Sequence, residues 1–296
     1  MPKERADLNF EELQHKANEI RQDVISTLAY AGSGHAAGSL GMADVLTALY
    51  FNILKIDPAR PDWPKRDRLV LSNAHICPVL YATLAHRGFC SRASVVFNLR
   101  KLGSPFQGHS NNHDKSLGIE TCGGPLGQGL SLAAGMALAA RLDRAKWQTF
   151  CLISDAELDE GQTWEAVMFA AKQRLHNLTV IVDRNNIQLS GFTEDVMPLE
   201  PLADKFRAHN WHVLEVDGHN IPQIIEALNE AKAIFERPTV VIAHTVPGKG
   251  VSFMEHRPAW HGRAPTPEEA ENALEEVRRQ NSEDMSSVSS LQSSSP

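Results

Sequence analysis

The sequence predicts an α/β fold, doubly wound around a mostly parallel sheet with helices on both faces. Three observations carry this. Four short runs rich in Val, Ile and Leu, TFCLIS from Thr149, LTVIVD from Leu178, HVLEVD from His212 and TVVIAHT from Thr239, are apolar almost throughout rather than alternating. Strands buried on both faces read that way. Helical stretches such as Thr163 to Arg174 and Ile221 to Phe235 separate them, which is the pattern of βαβ units. A chain of 296 residues with 42% hydrophobic composition is also long enough to bury such a core.

Taken in order, Leu13, Ala17, Ile20, Val24 and Leu28 recur at helical spacing, and Met42, Leu46, Leu49, Tyr50 and Ile53 mark a second helix. The loop AGSGHAAGS lies between them. RLVLS, Arg68 to Ser72, reads as a short buried strand, and ICPVLYATLAHRG after it as a helix closed by Gly88. Glycines crowd in CGGPLGQG from Cys122, and LSLAAGMALAARL continues as a helix with a small-residue face. No internal repeat is found. The ordered domain is expected over residues 1–265, with a polar C-terminal helix over 266–281 and a serine-rich, disordered tail over 282–296.

A net charge of -7 and a pI near 6.0, with basic residues scattered along the chain, give no electrostatic footprint for nucleic acid. No apolar run reaches the length of a membrane span, and no export signal is read at the N-terminus. Cys77, Cys90, Cys122 and Cys151 contain no C-x-x-C pair, so a reducing compartment, the cytoplasm, is expected.

The chemistry concentrates in CLISDAELDEGQTWEA, where a buried strand ends on Asp155. In doubly wound sheets ligands bind beyond the carboxyl ends of strands. The next strand ends in Asp183-Arg184-Asn185-Asn186, so adjacent strands would bring Asp155 and Asn185 to one sheet edge. A carboxylate and a carboxamide oxygen suit Mg²⁺, which completes its octahedron with phosphate oxygens and water. Taken alone, Asp155 as a helix cap and Asn185 as a loop turn is the commoner arrangement.

The wider pattern, D-x-E-L-x-E-G-Q-x-W-E-A followed by IVDRNNIQLSG, resembles the thiamine-diphosphate signature of transketolases. SGHAAGSLGMADVL, RDRLVLSNAH, KLGSPFQGHS, GIETCGGPLGQGLSLAAGMA, WHVLEVDGHN and PAWHGRAP are similar to that family's pattern in the same order, over nearly the whole chain. The resemblance implies thiamine diphosphate and Mg²⁺ as cofactors. It implies Asp155 and Asn185 as metal ligands through their side chains, and Ile187 through its carbonyl. It implies His35 and His75 beside the diphosphate and reacting centre, His109 against the donor sugar, and His261 as a looser match. Gly124, Leu126 and Gly127 would meet the aminopyrimidine, while Glu160 and Glu165 would lie near a subunit interface linking paired cofactors. Ala156 stands in the diphosphate turn. His15, His86, His176 and His209 match no such loop and are read as structural.

Some positions depart from the family pattern. Ser154-Asp155-Ala156 replaces G-D-G, and if residue 156 needed φ > 0 the added methyl would cost roughly 1 kcal/mol or more. Ala36 replaces a proline, Ala74 a glycine, and Ser110 to Asn112 stand in place of a Pro-acid pair beside His109, which hints at an unusual donor or acceptor.

The family's aminopyrimidine glutamate belongs to a second domain, which the resemblance assigns to a separate chain. The expected function is therefore the N-terminal subunit of a two-component transketolase. It would transfer a two-carbon ketol unit from a ketose or ketose phosphate to an aldose, in a heterotetramer with a C-terminal subunit. A catalytically degenerate scaffolding subunit and a related thiamine-diphosphate synthase subunit are the alternatives. An Mg²⁺-dependent phosphotransferase is set aside for want of a G-x-x-x-x-G-K-[ST] loop.

Overall fold

The computed structural model describes the backbone of residues 8–292 and the side chains of residues 8–280. Its centre is a five-stranded, wholly parallel sheet in the order β1-β2-β3-β7-β6, with β1 at Arg68–Leu71, β2 at Thr149–Ser154, β3 at Leu178–Arg184, β6 at His212–Asp217 and β7 at Thr239–His244. A two-stranded hairpin, β4 at Ile187–Gln188 and β5 at Gly191–Phe192, projects after β3. All residues of β2 and β3 are buried.

Successive strand side chains alternate between two cores. Phe150, Leu152, Ile181 and Val241 join one cluster, and Cys151, Ile153, Val180, Val182, Val240 and Ile242 the other. Both faces are covered, which is why these strands read as unbroken apolar runs.

The first core is covered by α1 (Phe10–Ala31), α2 (Ala36–Gly41), α3 (Ala43–Ala48), α4 (Cys77–Arg87), α5 (Arg92–Asn98), α10 (Ile221–Ala233) and α11 (Pro267–Gln292). The second is covered by α6 (Gly129–Leu142), α7 (Gly161–Lys172) and α9 (Leu202–Ala208); the short α8 (Thr193–Val196) follows the hairpin. α1 starts on a reciprocal Asn9–Glu12 capping box, worth about 1 kcal/mol, and stops at Gly32 in the left-handed region. α4 likewise ends at the left-handed Gly88, as its sequence requires.

The structure differs from the sequence reading in three places. The loop after α1 is shorter than expected, because α2 begins at Ala36 directly after His35. The second helical run starts at Met42 (φ -92, ψ 5) as read, but stays α-helical only over Ala43–Ala48 and finishes as a π-helical turn over Leu49–Ile53. The backbone of α11 is described as far as Gln292, beyond the helix end expected at residue 281, and residues 293–296 of the expected serine-rich tail lie outside the described residues.

Candidate active site

The register Ser154↔Asp183 between β2 and β3 sets the next residues side by side at the carboxyl edge of the sheet. Asp155 is fully buried. Its Oδ2 accepts from the Asn186 amide at 2.7 Å and the Arg184 guanidinium at 3.1 Å, and its Oδ1 accepts from the Ala156 amide at 2.8 Å. Asn185 donates from Nδ2 to Asp183 at 2.8 Å and accepts from the Ile187 amide at 3.0 Å, so its carboxamide is oriented within the same turn. Thr245, just after β7, donates to the other Asp183 oxygen at 2.5 Å.

Burial raises Asp155 to about 6, against the lowering effect of its hydrogen bonds and Arg184. Asp183 is pushed up to about 7, first by burial and then by the neighbouring Asp155 carboxylate. Asp155 and Asn185 thus present a buried carboxylate and a carboxamide oxygen at one edge, hard oxygen donors of the kind a divalent cation takes.

Ala156 occupies a 3₁₀ turn over Asp155–Asp159 and is not among the residues with positive φ. The backbone penalty considered for this departure therefore does not arise.

Around the adjoining strand end, His35, His75 and His261 form a triangle with ring centroids 4.9, 5.7 and 5.2 Å apart. They come from the start of α2, from the 3₁₀ turn after β1, and from the turn after Trp260. Burial, reinforced by neighbouring imidazoles, lowers His35 to about 4 and His75 to about 3, and burial lowers His261 as well. The three rings are neutral at pH 7 and so can both donate and accept hydrogen bonds.

His109 lies against Gly124: a Cβ there would sit 3.4 Å from His109 Cγ. Its pKa is lowered, chiefly by burial and then by Arg100. The histidine triangle meets the hairpin through Gly262, whose added Cβ would lie 3.4 Å from Leu189 Cδ1 and 3.7 Å from His35 Nε2.

The glycine-rich loop is held by a residue the sequence reading passed over. Glu157 is fully buried and accepts from the Gly127 amide at 3.0 Å, the Ser154 amide at 2.9 Å, and the Ser72 hydroxyl. Ser72 in turn accepts from the Gly129 amide at 3.1 Å. The S-x-x-E spacing of Ser154 and Glu157 was the available signal. Gly127 adopts φ +78, and a Cβ there would stand 2.7 Å from Glu160 Cβ, so close approach of Glu160 to the loop demands glycine. Glu160 and Leu126 are exposed beside this loop, and Glu165 is exposed on α7.

Asn73 was also missed. It is fully buried, and both polar atoms of its carboxamide lack a partner among the described residues, as do His35 Nδ1 and Gln188 Nε2. Unpaired buried polar atoms carry a desolvation penalty that a polar ligand would relieve. The buried carboxylate of Asp155 and the carboxamide of Asn185, at the ends of β2 and β3, are hard oxygen donors whose chemistry fits a metal-held diphosphate.

Ser110 to Asn112 serve the loop itself. Ser110 is buried and its carbonyl accepts from the Gly123 amide at 2.8 Å, while Asn111 and Asn112 donate to the carbonyls of Pro105 and Glu120 at 3.3 and 3.1 Å.

Residues 13–283 match the family model for the transketolase thiamine diphosphate binding domain. The chain belongs to the transketolase family. It is 42% identical over 269 residues to the 6-deoxy-6-sulfo-D-fructose transketolase subunit SqwG of Clostridium sp. (strain MSTE9), covering 91% of this chain and 97% of that one. It is 40% identical over 270 residues to an apulose-4-phosphate transketolase subunit of Phocaeicola vulgatus, covering 91% and 95%. Human transketolase is 36% identical over 273 residues, which are 90% of this chain but 42% of that protein. Among solved structures, Campylobacter jejuni transketolase superposes with a TM-score of 0.85 at 33% identity, covering 91% of this chain and 43% of that one. The chain thus spans nearly the whole of these subunit-type relatives and less than half of the single-chain ones.

Proposed function

We propose that this protein is the thiamine-diphosphate- and Mg²⁺-binding subunit of a two-component transketolase, completed by a separate C-terminal subunit. The observation that carries the reading is the match, over 97% of the relative, to a chain that is itself named a transketolase subunit. The relatives' names point to anionic sugar donors, a sulfonated or phosphorylated ketose.

In this reading Asp155, Asn185 and the Ile187 carbonyl would hold Mg²⁺ and, through it, the cofactor's diphosphate. Thiamine diphosphate, when bound, would supply the nucleophilic and electron-accepting chemistry that two-carbon transfer needs. The residues of this chain do the rest. Gly124, Leu126 and Gly127 receive the aminopyrimidine, fixed from behind by Glu157. His35, His75 and His261, neutral and buried together, bind sugar hydroxyls and move protons at them. His109 contacts the donor's end. Glu160 reaches from the start of α7 toward a subunit boundary.

Several apolar side chains are exposed on the glycine-rich loop and the two helices beside it: Leu126 on the loop, Leu132 on α6, and Met168 and Phe169 on α7. An apolar face of this kind favours contact with another chain. We assign the assembly as a heterotetramer of two chains of each type.

Calorimetric titration of thiamine diphosphate and Mg²⁺ into the chain assembled with its C-terminal partner tests the reading. Saturable binding that disappears in Asp155→Ala is expected. An assembled complex that binds no cofactor would give the scaffolding alternative the lead.

A further inference from the structure

At the last position of β3, next to Asp183, stands Arg184, which is 2% exposed. A guanidinium is buried only where its charge and its donors are met. Here they are met on several elements at once. Nη1 donates to Asp155 Oδ2 at 3.1 Å and to Thr193 Oγ1 at 2.9 Å, and Nη2 donates to Glu194 at 2.6 Å and Glu200 at 3.0 Å.

Two of these contacts reach beyond the metal edge. Glu194 lies on α8 and also accepts from the Leu199 amide at 3.1 Å, while Glu200 accepts from the Leu202 amide at 2.8 Å as α9 begins. The guanidinium therefore ties the segment from Thr193 to Leu202 to the buried aspartate. The fork of Arg184 and the Asn186 amide both act on Oδ2 of Asp155, whereas Oδ1 is engaged by the amide of the next residue in the chain.

We propose that Arg184 is a positioning residue for the metal site: it fixes the rotation of the Asp155 carboxylate and so sets the affinity for Mg²⁺. The inference rests on the reading of Asp155 as a metal ligand. The planar fork of arginine is what allows one side chain to serve Asp155 and the two glutamates together, and a lysine ammonium would not reproduce it. Removing a partner that orients a metal-binding side chain lowers metal affinity about ten- to a hundredfold.

The test uses the complex with the C-terminal subunit and follows thiamine diphosphate binding by calorimetry across a series of Mg²⁺ concentrations. Four forms accompany the unmodified complex: Asp155→Ala, Arg184→Met, Arg184→Lys, and the double variant Glu194→Gln/Glu200→Gln. In Arg184→Met the Mg²⁺ concentration for half-maximal binding should rise by at least about tenfold. Arg184→Lys should recover part of this, and the double variant, which keeps the arginine on Asp155, should stay near the unmodified value.

Should Arg184→Met fail to fold, judged by its near-UV circular dichroism, the Lys variant against the double variant carries the comparison. Mg²⁺ dependence unchanged in the Arg184 variants, with Asp155→Ala inactive in binding, overturns the inference and leaves the metal site standing. An equal rise in the double variant also overturns it, since the arginine would then act through the segment it anchors. Unaltered binding in Asp155→Ala overturns the metal-site reading, and the inference with it.

Discussion

At the scale of single residues, the site depends on side chains whose partners lie far away in sequence. Glu157 meets Ser72 and Gly127 across 85 and 30 positions. Replacing it with leucine leaves buried amide and hydroxyl donors unpaired, so Glu157→Leu should lose about 2–4 kcal/mol of stability in denaturant titration. Ala156 behaves in the opposite way. Since its backbone does not need φ > 0, Ala156→Gly should bring no tightening of thiamine diphosphate, and a marked gain in calorimetric affinity would show that the methyl group obstructs the diphosphate after all. The histidines give a pH signature. His35 and His75 bind protons more weakly when folded, at about 4 and about 3 against an ordinary 6.5. Their contribution to stability is complete above pH 6.5, declines as pH falls through that window, and levels off below about 3. In His75→Asn the dependence of the denaturation midpoint on pH between 6.5 and 4 should be shallower than in the unmodified chain.

At the scale of elements, the glycine-rich loop and the start of α6 are built by close approach. A Cβ on Gly129 would stand 2.3 Å from Ser72, and one on Gly127 would meet Glu160 while also facing an unfavourable φ of +78. Gly127→Ala should therefore cost at least about 1 kcal/mol and displace the glycine-rich loop that we propose receives the aminopyrimidine. The expected sign is a weaker thiamine diphosphate affinity with Mg²⁺ dependence retained, since Asp155 and Asn185 belong to other segments, at the ends of β2 and β3. α2 shows how local pattern misleads. Its Ala-Ala-Gly-Ser sequence offers no amphipathic stripe, because all six residues of the helix are buried. Periodicity reads a helix by its wet face.

At the scale of the whole molecule, one parallel sheet gathers Asp155, Asn185, Thr245 and His75 at its carboxyl edge, although they span 170 positions from His75 to Thr245. No helix among the described residues is long and apolar enough to cross a membrane. Leu126, Leu132, Met168 and Phe169 are exposed on the glycine-rich loop, α6 and α7. Placing charges there, as in Leu132→Glu/Phe169→Glu, should abolish assembly in analytical ultracentrifugation while leaving the circular dichroism of the chain intact. Ketol transfer is expected only from the reconstituted complex, and full turnover by the rigorously purified chain alone would refute the two-component reading.

By itself the sequence determined the α/β class, the buried parallel strands and the loops that carry Asp155, Asn185 and the histidines, because apolar runs and short motifs are local properties. The fit between Ser154-Asp155 and Asp183-Arg184-Asn185 was legible too, since one βαβ crossover fixes adjacent strands. Only the tertiary structure decided that His35, His75 and His261 meet, their ring centroids being 4.9 to 5.7 Å apart. It alone showed that Glu157 fastens the glycine loop, that Asn73 is left unpaired among the described residues, and that Arg184 grips Asp155 and two glutamates together. The physical reason is the same in each case. A hydrogen bond or a desolvated charge is a property of a pair of groups, and the chain order that places those groups together becomes visible only after the sheet has closed around them.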